Sequence, residues 1–165
     1  LAGLDTRPLV GHLAAWNYFM SVESPENEAF IKQWKTFIKD DKRVTNDPME
    51  AHYIGFSMWV QAVQQAGTTD VDAVRQAMYG QKVKNLTGGI AVMNTNHHLS
   101  KPVLIGEIQA DGQFEVVWRT EGVVKGDAWS DFLPDSKKLK ADWADLDCGH
   151  YNTETESCTG QSAEQ

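Results

Sequence analysis

Apolar and aromatic residues run almost unbroken from Leu9-Val10-Gly11-His12-Leu13-Ala14-Ala15-Trp16-Asn17-Tyr18-Phe19 to Met20, with no helix cap ahead of them. Such a run predicts a strand over about residues 9–19. The pattern then switches to a helical one. Ser24 is placed as an N-cap, Pro25 at the first helical position, and Glu26 and Glu28 near the positive helix end. Phe30, Trp34, Phe37 and Ile38 recur at helical spacing, so a helix is expected over 25–38 with those four on one stripe. Lys39-Asp40-Asp41-Lys42-Arg43 reads as a solvated turn. Asn46 or Asp47 caps a second helix that has Pro48 at its start and ends at Ala66 before Gly67. Asp70 caps a third, from Val71 to Tyr79, closed by Gly80.

Beyond Gly80 the period shortens. Residues 88–93, 102–108 and 114–118 are strand-like, and Ala110-Asp111-Gly112-Gln113 makes the turn of a hairpin between the last two. After Gly122 the chain is polar and irregular, with Trp129, Phe132, Leu133 and Trp143 as isolated apolar positions. The organisation expected is therefore an α/β region over 1–120 and an irregular C-terminal extension over 121–165. An opening strand that is already apolar needs neighbours, and nothing upstream supplies them. The sequence thus reads as the later part of a larger protein.

Composition narrows the function classes. At 165 residues and 41% hydrophobic, with six Trp, the chain has enough apolar material for about one core. A net charge of −8 argues against nucleic acid as a partner, because phosphate recognition needs clustered Lys and Arg. No apolar run reaches the roughly 18 residues of a membrane span, so the chain is not expected to cross a membrane. Cys148 and Cys158 sit in a polar tail that lacks core-forming residues. A disulfide between them would restrict this tail and imply an oxidising compartment. Two free thiols are the alternative; a metal site finds no CxxC spacing, and His150 is its one extra ligand.

Several uncommon strings occur in one order along the chain: Val10-Gly11-His12-Leu13-Ala14-Ala15-Trp16-Asn17-Tyr18-Phe19, Asn46-Asp47-Pro48-Met49-Glu50-Ala51, Asn96-His97-His98-Leu99, and Ile105-Gly106-Glu107-Ile108-Gln109-Ala110-Asp111-Gly112-Gln113-Phe114. They resemble the urea- and short-chain-amide-binding group of type I periplasmic solute-binding proteins of ABC importers, essentially along the whole chain. The resemblance implies an α/β fold of two parallel-sheet sandwich lobes joined by hinge strands, of which residues 1–120 would be the final portion of the first lobe with its hinge strands, the N-terminal portion being absent. It also implies a periplasmic protein that closes on urea or a small amide and delivers it to a membrane permease.

Urea is planar and neutral, with four N–H donors and one carbonyl, so its pocket needs acceptors, some donors and flat apolar walls. Trp16, Asn17 and Tyr18 stand where a hinge strand ends, and their rings and amide suit that ligand; the alternative is that alternate residues of this strand are core. Met49, Glu50 and Tyr53 follow a helix start, where backbone N–H groups point outward and Glu50 can accept two urea N–H bonds. Against this, Asp47 with Glu50 three residues on has the spacing of a capping box.

Other chemistry finds less support. Adjacent His97 and His98 point apart on a strand and lack a carboxylate or Cys at ligand spacing. Asn94 and Asn96 could hold Ca²⁺ in a loop, without EF-type spacing; no other cofactor is implied. Asn85-Leu86-Thr87 fits a glycosylation sequon but reads as a turn. No GxSxG occurs and the cysteines lie in the tail, so an enzyme is not expected. An amide-sensing regulator of the same fold is the remaining alternative, and it would have no use for a disulfide.

Overall fold

A computed structural model describes residues 3–127 and two short strands, β7 (Tyr151–Asn152) and β8 (Ser157–Cys158), which pair antiparallel. The chain divides into two units, Leu1–Asp127 and Ala128–Gln165. Cys148, Trp129, Phe132, Leu133 and Trp143 lie outside the described residues.

The first unit opens with a 3₁₀ turn, Arg7–Leu9, set by Pro8. The apolar run therefore yields a much shorter strand than its pattern suggests. Gly11 takes φ +86°, His12 N–H closes back on the Leu9 carbonyl, and strand β1 is confined to Leu13–Trp16. Helices α1 (Pro25–Ile38), α2 (Asp47–Ala66) and α3 (Val71–Met78) follow. Their starts are decided locally. Ser24, Asn46 and Asp70 each accept a hydrogen bond from the backbone N–H three residues on, filling an otherwise orphaned donor. Gly67 ends α2 at φ +65°, a left-handed cap that costs glycine little.

Strands β2 (Lys82–Lys84), β3 (Ile90–Met93) and β4 (Leu99–Ser100) form one antiparallel sheet. Strands β5 (Leu104–Ile108) and β6 (Phe114–Arg119) join β1 in a second, with β5 in the centre. The neighbour of β1 in this sheet lies far downstream in β5: Leu13 faces Glu107 and Trp16 faces Leu104 in antiparallel register. The β5–β6 hairpin turns where the sequence places it, with Gly112 at φ +78° and the Asp111 carboxylate accepting Gln113 N–H at 2.9 Å. Every pairing among the described residues is antiparallel, so the parallel strands the resemblance implies are not among them.

The core lies between α1, α2 and the small sheet. Tyr18, Phe30, Ile54, Met58, Leu86, Ala91 and Met93 fill it, and Ala62, Val74 and Ala77 close the α2–α3 seam. The proposed four-residue stripe on α1 divides. Phe30 is buried, whereas Phe37, two turns on, is 81% exposed.

Candidate functional site

Three segments meet where the β1–β5–β6 sheet joins the helical part, and polar bonds tie them together. Asn17, leaving β1, donates its backbone N–H to Asp47 Oδ1 at 3.0 Å and its side-chain amide to the Pro102 carbonyl at 2.7 Å. Val103, entering β5, donates to Thr120 Oγ1 at 3.1 Å, and Thr120 N–H returns to the Val103 carbonyl at 3.0 Å. Lys101 and Val124 exchange both backbone bonds, at 3.2 and 2.8 Å. A break in any one segment would therefore disturb the other two.

Tyr18 follows Asn17 but turns into the core, where it is 1% exposed. Its hydroxyl donates to Asn27 Oδ1 at 2.7 Å and lies 2.6 Å from Thr45 Oγ1. Burial pushes its pKa up to about 12 despite these bonds, so it stays a neutral phenol. Asn27 is itself spent, its amide donating to the carbonyls of Met20 and Val22. The Tyr18 ring meets Phe30 edge-on with centroids 6.3 Å apart, and Phe30 in turn lies 4.8 Å from Tyr53.

At the start of α2, Asn46 holds the cap by accepting Met49 N–H at 3.0 Å, and Glu50 N–H bonds the Asn46 carbonyl. The capping-box alternative does not form. Instead the Glu50 side chain turns inward, fully buried, and pairs with the Lys101 ammonium, itself almost fully buried. Burial raises the Glu50 pKa, outweighing the attraction of Lys101. Its second oxygen, Oε1, is buried and has no partner among the described residues.

Of the six residues expected at the site, then, Asn17, Tyr18, Met49 and Glu50 take part in this polar and apolar knot, with Met49 half-buried against the core. Tyr18 and Glu50 are enclosed and bonded to protein groups. Trp16 and Tyr53 are open to solvent, at 44% and 40% exposure. Sequence reasoning missed Lys101, Thr45 and Asn27. A lysine between Ser100 and Pro102 carries no local sign of burial, since lysine is ordinarily exposed.

The remaining polar candidates are bonded within the chain. Asn85 is buried, with its amide donating to Thr87 Oγ1 at 2.7 Å, so the sequon residue is the pivot of a turn. His97, at φ +62°, bonds Tyr79 through its ring, and His98 bonds within its own loop. Among the described residues no three His, Cys, Asp or Glu side chains are placed to hold a metal ion, and no helix is long and apolar enough to cross a membrane.

Comparison with known proteins agrees with this architecture. Residues 1–135 match the periplasmic binding protein domain, and the chain belongs to that family. A solute-binding protein of an ABC transporter from Rhodopseudomonas palustris, crystallised with p-hydroxybenzoic acid, superposes with a TM-score of 0.61 at 22% identity, covering 72% of this chain and 33% of that one. A leucine-binding protein from Thermotoga maritima superposes at 0.56 with 15% identity, over 68% and 31% of the two chains. A protein named limonene hydroxylase from Geobacillus stearothermophilus is 33% identical over 118 residues, 72% of this chain and 21% of its own length. The chain thus spans about a third of the structures it resembles and about a fifth of that relative. The fold is α/β and corresponds to part of a type I periplasmic binding protein.

Proposed function

We propose that this chain is part of the solute-binding subunit of an ABC importer, a periplasmic protein without catalytic activity that captures urea or a short-chain amide and presents it to a membrane permease. The match of residues 1–135 to the periplasmic binding protein domain is the observation that carries the solute-binding reading. The choice of urea rests on the strings around Trp16, Met49, His97 and Ile105 and on the chemistry of the exposed rings. Among the expected site residues, Trp16 and Tyr53 have rings open to solvent, and flat apolar rings suit a planar ligand.

In this reading the opposite wall comes from the rest of a longer chain. Each net hydrogen bond contributes about 0.5–1.5 kcal/mol, and micromolar affinity needs about 8 kcal/mol, more than one wall supplies for so small a ligand. In the protein carrying both walls, calorimetry is expected to show urea or a short amide binding, and Trp16→Ala to weaken it roughly tenfold through lost ring contact. Tighter binding of benzoate or leucine than of any amide would replace the ligand and keep the solute-binding reading. No solute bound by that protein would remove both.

The compartment follows from a pairing of Cys148 with Cys158, which we propose as the restraint on the polar tail. Thiol titration of the unfolded, unreduced protein is expected to find no free thiol. Two free thiols would favour the amide-sensing regulator.

A further inference from the structure

A cavity of about 440 Å³ lies beside the knot of segments, lined by Thr87, Gly89, Pro102, Arg119, Glu121 and Val123 among others. None of the residues expected at the urea site lines it. Arg119, the exposed last residue of β6, donates one guanidinium N–H to the Thr87 carbonyl, which tethers the group at the cavity. Among the described residues it forms no ion pair with a carboxylate, and the Thr87 carbonyl takes only one of its five donors. A guanidinium held in this way is a ready fork for a carboxylate.

The surroundings narrow the ligand further. Gly88 and Gly89 take φ +94° and +74°, and a Cβ at Gly89 would meet nothing within 4 Å, so the backbone there faces open space. Pro102 and Val123 supply apolar wall. Glu121, two residues after Arg119, lines the same cavity and likewise makes no ion pair among the described residues. Its carboxylate, in a chain of net charge −8, disfavours a dianion.

From this geometry we infer that the cavity is a second ligand site, taking a small monocarboxylate with a short apolar body, its carboxylate on Arg119 and its body against Pro102 and Val123. The inference is independent of the urea reading.

Propionate titrated into the full chain, followed by the amide resonances of Gly88, Gly89 and Gly122, is the test. Saturable binding is expected, weakened roughly tenfold or more by Arg119→Gln. Arg119→Lys, which keeps the charge but loses the planar fork, should weaken it as well and serves should Arg119→Gln not fold. Glu121→Gln should tighten it roughly threefold by removing a like charge. Phosphate and urea should not shift the same resonances. Absence of saturable binding, binding unchanged in the Arg119 variants, or phosphate binding as well as propionate would each overturn the site.

Discussion

Lys101→Met is expected to destabilise the protein by about 3–5 kcal/mol, because it strands the Glu50 carboxylate in the core without its counter-ion. The loss should depend on pH. Glu50 has a folded pKa above its ordinary 4.5, so between 4.5 and the raised value the folded state binds more protons than the unfolded chain. Its contribution to stability is then largest at the acid end of that window and falls as pH rises through it. Removing Lys101 takes away the group that holds the value down, which widens the window and makes the deficit grow toward neutral pH. Glu50→Gln with Lys101→Met should recover most of the loss and flatten the pH profile, since no buried charge remains. Guanidinium unfolding at several pH values measures all of this. A single-variant loss below about 1 kcal/mol, the scale of an exposed pair, would show that water reaches the site.

Gly106→Ala should cost about 1–3 kcal/mol by overpacking. Gly106 sits mid-strand in β5, beside the register shift opposite β6, with no positive φ to forbid alanine. The obstacle is steric: a Cβ there would lie 2.6 Å from Phe19 Cζ and 2.8 Å from Cε2. Phe19 is 5% exposed and its ring is held 4.6 Å from that of Phe114, so it has little room to retreat. Phe19→Leu in the Gly106→Ala background should lessen the penalty, a coupling that thermal unfolding of the four variants reads directly. A Gly106→Ala loss within about 0.5 kcal/mol would mean that the ring moves freely.

Much of the secondary structure is legible because its causes are local. A serine, asparagine or aspartate with its acceptor three residues from a free N–H makes a helix start regardless of what lies elsewhere, and Ser24, Asn46 and Asp70 do so here. Strands β2 and β4 were not legible, because Lys82-Val83-Lys84 and Leu99-Ser100 have too few residues for a period and exist through pairing with β3. The extent of β1 was overread for a related reason. Apolar character marks Leu9 through Phe19 alike, while the ladder to β5 selects four of them.

The candidate site divides the same way. Asn17 and Glu50 were singled out in the sequence as polar groups suited to an amide ligand, one in the opening apolar run and one at a helix start. What they do was decided by the fold. Asn17 spends its amide on Pro102, and Glu50 meets a lysine far along the chain that no spacing rule associates with it. Helix starts and the hairpin turn were determined by the sequence alone, because each depends on interactions within a few residues. The course of β1, the burial of Tyr18 and Glu50, and the solvent exposure of Phe37 were decided only by tertiary structure. Each of these depends on which distant surface arrives to pair, neutralise or cover it, and that is a property of the assembled chain.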